Sequence, residues 1–156
     1  MPSLQILLPL VTYPEPNAKS SLQNAVAVAK RLDAGLHALA LEADIPHLSN
    51  ALSRVLLDVP SMIREAETLS ARNGERLMAA ARAAAEAAGV AFTASSVRSR
   101  FPVTGDEAAA EARCFDLALL GWAPGNEAVR LVAESLVFGS GRPVVLLPEA
   151  AGVEKL

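Results

Sequence analysis

Residues able to do chemistry are sparse in this chain, and most of them fall in loops. Gly121-Trp122-Ala123-Pro124-Gly125-Asn126 precedes an apolar helical pattern. Backbone N–H groups in such a loop, with the positive end of a helix behind them, can hold an anion such as phosphate. The same residue types also turn a chain and cap a helix, which is their commoner use. Gly139-Ser140-Gly141 offers a second anion nest or, more simply, a helix stop. The loop Thr12 to Asn17 (TYPEPN) contains no glycine, and Pro14 and Pro16 lack N–H groups, so it is a poor phosphate cradle. Neither a Walker loop nor a GxGxxG fingerprint occurs anywhere. A phosphoaccepting site of the response-regulator kind needs clustered Asp residues at the end of the first strand, where Val11 and Thr12 stand.

Nucleophilic catalysis has no visible constellation. His37 falls inside a strand pattern, where packing or pairing with a carbonyl is the expectation. His47 lies in a loop with no acid or nucleophile at a telling spacing. Cys114 stands between Arg113 and Phe115 on a helical stretch, with nothing nearby in sequence to stabilise a thiolate. Trp122 can stack on a base or cover the sheet end, and packing is the expected role. The charged residues of the long helical segment, among them Arg64, Glu65, Arg72, Glu75, Arg76 and Glu86, read as a solvated face with i,i+4 pairing. The expectation is a protein that is not an enzyme.

The elements that would position these residues follow from periodicity. Gln5 to Val11 (QILLPLV) reads as a buried strand. Ser20 with Gln23 matches a capping box and opens a helix with Leu22, Ala25, Val26, Ala29 and Leu32 on one face; Gly35 is placed to end it. Leu36 to Glu42 is a second buried strand. Residues 44–60 carry Leu48, Ala51, Leu52, Val55 and Leu56, which suit a short helix or a flap over an apolar ligand. Ser61 to Ala88 is one long helix, with a bend allowed near Asn73-Gly74, ended by Gly89. Ala91 to Ser99 suits an outer, partly wet strand. Thr104 and Glu107 form another capping box, and the helix they open runs to about Phe115. Leu117 to Leu120 is a fourth strand, Glu127 to Phe138 a last helix, and Val144 to Leu147 a fifth strand. Strand–helix alternation of this kind makes a parallel sheet with helices on both faces, with ligands beyond the carboxyl ends of the strands.

Composition agrees. The 156 residues suit one domain, here 1–149, with a tail over 150–156; no partner is identifiable for Glu149 or for the residues after it. Apolar residues make up 52% and aromatics 4%, and there are 31 Ala, so the core must be aliphatic and closely packed. A net charge of −3 offers no basic footprint for nucleic acid. One cysteine rules out a disulfide framework or a Cys metal cluster. No run approaches a membrane span, and the start lacks the pattern of a signal peptide, so a cytoplasmic protein is expected.

The opening ILLPL, the segment AVAVAKRLDAGLHALAL, FDLALLGW, and the close AESLVFGSGRPVVLLPE together resemble a universal stress protein domain, from about Leu4 to Glu149. The resemblance implies a three-layer α/β/α sandwich of the adenine-nucleotide alpha-hydrolase-like kind, with a five-stranded parallel sheet of order 3-2-1-4-5. It also implies a stress-response role and a homodimer paired across Val144, Val145, Leu146 and Leu147. Nucleotide-binding members carry Gly-x2-Gly-x9-Gly-Ser/Thr after the fourth strand and an Asp at the end of the first. Here Val11 takes the Asp position, three residues separate Gly121 from Gly125, and the Gly-Ser pair falls at Arg130-Leu131. A degraded nucleotide site and no cofactor are therefore expected. If ATP or AMP binds, the residues for it are Val11, Thr12, Gly121, Gly125, Asn126 and Arg130. The close also resembles the end of the first half of tandem members.

Overall fold

The computed structural model describes residues 4–47 and 58–150. Strands β1 (Gln5–Val11), β2 (Gly35–Asp44), β3 (Phe92–Arg100), β4 (Leu117–Trp122) and β5 (Val144–Pro148) alternate with helices α1 (Lys19–Arg31), α2 (Val59–Ala88), α3 (Asp106–Ala112) and α4 (Glu127–Gly139). All strand pairs are parallel, and the order across the sheet is β3-β2-β1-β4-β5. This is the expected architecture, and β1 has the expected bounds.

The central strand is buried on both faces. Ile6, Leu8 and Leu10 pack with α1 and α2, including Leu22, Ala25, Ala29, Leu77, Ala81 and Ala85. Leu7 and Val11 face α3 and α4, against Ala108, Ala112, Val129, Val132 and Leu136. Alanine on the helices lets them sit close to the sheet, so Leu and Val of the strands fill the space between. Gly74 extends the same logic. A Cβ there would stand 3.2 Å from Ala40 Cβ and 3.5 Å from Thr12 Cγ2, and α2 runs unbroken through it.

Several helix ends differ from the sequence expectation, some of them because a tertiary contact replaces a local one. The N-cap of α1 is Ala18, not Ser20, and Ser20 Oγ instead donates to Glu149 O at 2.8 Å. The turn after α1 uses Asp33 at φ +50°; Gly35 already belongs to β2, its N–H bonded to Leu4 O at 2.8 Å. Aspartate tolerates the left-handed region better than most residues. The Thr104–Glu107 capping box does not form. Gly105 is the N-cap, Glu107 Oε2 accepts from Ser99 Oγ at 2.8 Å, and Thr104 Oγ1 is buried without a partner among the described residues. That helix, α3, stops at Ala112 rather than near Phe115. The C-terminal end of α2 follows expectation, with Gly89 at φ +72° closing it; its start is two residues earlier than Ser61, at Val59, where the N-cap Asp58 accepts from Ser61 N at 3.2 Å.

Gly121 lies inside β4, not in the loop that follows. A Cβ there would approach Ser21 Cβ to 2.5 Å and Ser21 Oγ to 2.7 Å, so only glycine lets α1 press against the strand end. Gly121→Ala should cost about 1–3 kcal/mol through this overpacking. A lowered urea midpoint with an unchanged slope would register it, whereas an unchanged midpoint would show that α1 can step aside.

Candidate functional site

The crevice between the carboxyl ends of β1 and β4 is where this topology places a ligand. The strand order reverses there, since β1 is flanked by β2 on one side and β4 on the other. Asn17, 4% exposed, occupies its centre. Its Oδ1 accepts from Val11 N at 2.7 Å, its own N–H donates to Val11 O at 3.0 Å, and its Nδ2 lies 3.3 Å from Gly121 O. The same Nδ2 donates to Glu149 Oε1 at 3.1 Å, and that carboxylate oxygen also accepts from Ala18 N at 2.9 Å. Glu149 N donates to Trp122 O at 3.0 Å. Glu149 was expected to lack a partner; it is instead the anion at the start of α1, where the helix dipole favours negative charge.

Thr12 closes the other side of the β1 end. Fully buried, its Oγ1 donates to Leu41 O at 2.6 Å and lies 2.6 Å from Ser70 Oγ. With the Thr12 proton on Leu41 O, the Ser70 hydroxyl supplies the proton between the two, and Ser70 Oγ accepts from Ala43 N at 2.8 Å. Asn73 Nδ2 donates to Thr12 O at 3.0 Å. Thus β1, β2 and α2 share one internal hydrogen-bond chain.

The nucleotide-site residues named from the sequence divide into two groups. Val11, Thr12 and Gly121 come together around Asn17, with Thr12 Oγ1 and the Val11 N–H engaged by protein atoms. Gly125, at φ +86°, and Asn126 form the turn before α4. The Asn126 side chain caps that helix, accepting from Val129 N at 3.1 Å, and donates to Glu15 O at 3.1 Å. Arg130 is half exposed and pairs with Glu127 and Glu134 on its own helix. These contacts raise the guanidinium's proton affinity and lower that of Glu127, with the Arg130–Glu127 hydrogen bond the largest cause for both. Trp122 packs against the α4-side core, as expected. Gly139 ends α4 and Gly141 turns the chain at φ +65°. Residues 48–57, which carry the apolar positions of the flap reading, lie outside the described residues. An open cleft of about 410 Å³ lies at the opposite end of the sheet, lined by Lys30, Asp33, Gly89 and Val90 among others.

Sequence reasoning missed Asn17, Ser70 and Glu149. Their partners lie up to 132 residues away, so no local signal marked them. His37 is packed, as one of its two expected roles had it, but its ring nitrogens pair with hydroxyls rather than with a carbonyl. Its Nδ1 lies 2.7 Å from Thr93 Oγ1 and its Nε2 2.9 Å from Ser95 Oγ. The ring sits 5.4 Å from that of Phe115. Burial holds the imidazole below its ordinary range, and the Glu111 carboxylate partly offsets this.

No family model matches the chain, and no curated protein matches it. Solved structures do. Universal stress protein UspA from Lactobacillus plantarum is 22% identical with a TM-score of 0.62, over 93% of this chain and 97% of that one. A universal stress protein family member from Burkholderia pseudomallei is 21% identical with a TM-score of 0.58, over 94% and 96%. A universal stress protein in complex with cAMP is 22% identical with a TM-score of 0.54, over 94% and 98%. The chain therefore has the α/β fold of the universal stress proteins. Among the described residues no helix is long and apolar enough to cross a membrane, and no group of three or more His, Cys, Asp or Glu is placed to hold a metal.

Two measurements follow from this geometry. Asn17→Ala should leave buried groups at Val11 and Gly121 without partners and cost about 1–3 kcal/mol, read as a lowered chemical-denaturation midpoint. For His37, a folded pKa below the unfolded value of 6.5 means that the fold prefers the neutral ring. That contribution is present above pH 6.5 and is lost as the pH falls through that value toward the lower, folded one. Unfolding free energy measured between pH 7.5 and 5 should therefore fall less steeply in His37→Asn than in the wild type.

Proposed function

We propose that the chain is a universal-stress-type domain that works by association, as a homodimer joined at the β5 edge, and not by turning over a nucleotide. The reading also includes a cytoplasmic stress-response role. One observation carries it: among the described residues, several large apolar side chains are exposed on β5 and on the last turn of α4. Val145 and Leu146 are each 40% exposed, and Val137 and Phe138 on the last turn of α4 are 53% and 86% exposed. β5 is the terminal strand, so one row of its backbone N–H and C=O groups has no ladder partner among the described residues. Such an edge is a template for pairing with a second strand, and a two-fold axis beside it would bury the same side chains twice. Val144 faces the α4-side cluster and Leu147 is 3% exposed in the other, so Leu147 would join the interface through its backbone only. The membership itself is supported by the fold together with the sequence segments ILLPL, FDLALLGW and GRPVVLLPE.

An adenine-nucleotide site is the second reading, and a solved structure of this fold that holds cAMP favours it. Against it stand Asn17 and Glu149, which fill the crevice with the protein's own amide and carboxylate. Light scattering coupled to size exclusion should show a dimer for the wild type. Val145→Lys and Phe138→Asp should each weaken it at least tenfold, about 1.4 kcal/mol. A monomeric wild type, or variants that dimerise as well as it does, would place association elsewhere. Calorimetric titration with ATP, AMP and cyclic AMP should give no stoichiometric heat; binding in the micromolar range would favour the nucleotide reading instead.

A further inference from the structure

Among the described residues, the face of the sheet toward α3 and α4 is not fully covered. α3 has only seven residues, and the β2–β3 side carries polar groups open to solvent. His37 on β2 is in register with Thr93 on β3, and Ser95 follows two residues on along the same face. Both hydroxyls are exposed and both contact the ring, Thr93 at Nδ1 and Ser95 at Nε2. The Phe115 ring lies against the imidazole, 5.4 Å away between centroids and tilted by 31°. Glu111, from α3, is close enough to act on it electrostatically. An imidazole donating from one nitrogen and accepting from the other is the arrangement that activates a hydroxyl. We propose that Ser95 is a nucleophile with His37 as its base, and that it accepts acyl groups from small activated carboxylic esters reaching this open face.

In the tautomer this requires, Nδ1–H donates to Thr93 Oγ1 and the Ser95 hydroxyl donates to Nε2. Ser95 Oγ bonds to the acyl carbon as its proton passes to Nε2. The ester C–O bond breaks, and the leaving oxygen takes that proton as an alcohol. A water molecule then adds to the acyl carbon, giving its proton to Nε2. Ser95 Oγ departs and recovers that proton. The sum is ester plus water to carboxylic acid plus alcohol. The Glu111 carboxylate favours the imidazolium formed in each half, and Thr93 is a positioning residue that holds the tautomer. β3 is the other terminal strand, so alternate backbone N–H groups point away from β2 and are open to a carbonyl oxygen. Phe115 and Val97, both partly buried on this face, offer an apolar floor for a short acyl chain.

The test is reaction of the full chain with p-nitrophenyl acetate, followed as nitrophenol release and as acetylation mapped on peptides. Acetyl on Ser95 is expected, absent in Ser95→Ala, with release slowed roughly a hundredfold in His37→Gln. Thr93→Val should slow release less while leaving the acetyl on Ser95. Variants are compared only where far-UV dichroism and melting match the wild type. If His37→Gln fails to fold, the wild-type pH profile decides. Release should fall on acidification with a midpoint below the ordinary histidine value, because the base must be neutral. Acetyl found only on Cys114, lysines or Thr93, or a rate unchanged by His37→Gln, or a flat pH profile, would overturn the proposal. None of these outcomes depends on whether β5 forms a dimer.

Discussion

Everything at the carboxyl rim depends on the close approach of α1 to the ends of β1 and β4. Asn17 makes that approach stable by satisfying both backbone groups of Val11 and by reaching Gly121 O and Glu149 in the same stroke. Gly121 makes it possible, because any side chain there would meet Ser21. Remove either, and buried polar groups lose partners or the helix must move. The crevice where this topology can hold a ligand is lined here by an amide and a carboxylate of the chain itself. An incoming phosphate would meet Glu149, a like charge already seated at the start of α1.

The two edges of the sheet differ in chemistry. At β5 the exposed side chains include Val145 and Leu146, and Phe138 on the last turn of α4 is exposed too, apolar surface whose burial would be favourable at roughly 25 cal/mol per Å². At β3 they are Thr93, Ser95, Ser96 and Arg98, which water solvates well. Arg98 reaches back to Asp44 and Glu67 and so blunts that edge with charge. The proposed association would use one side of the molecule, and the proposed polar chemistry the other.

The fold was legible in the sequence because each strand and helix reports its own burial through spacing. Continuous apolar runs such as QILLPLV and LALL mark strands covered on both faces, and the more polar β3 marks an edge. Helix caps were less legible. Ser20 and Thr104 carry capping spacings but are not N-caps, Ser20 being drawn to Glu149 instead. A cap is a weak local preference, about 1 kcal/mol, and a tertiary partner readily outbids it.

The residues by themselves determined the alternation of elements, the aliphatic core, the outer and partly wet character of β3, and the absence of a glycine-rich phosphate loop after β1. Only the tertiary structure decided what meets what. Glu149 reached Asn17 across 132 residues, and His37 reached Ser95 across 58. The reason is physical: periodicity records that a side chain is covered, but hydrogen bonds between strands depend on register. Register is fixed only when parallel strands pair across a helical crossover: the apolar pattern of a strand says which face is buried but does not name the residue opposite on its neighbour.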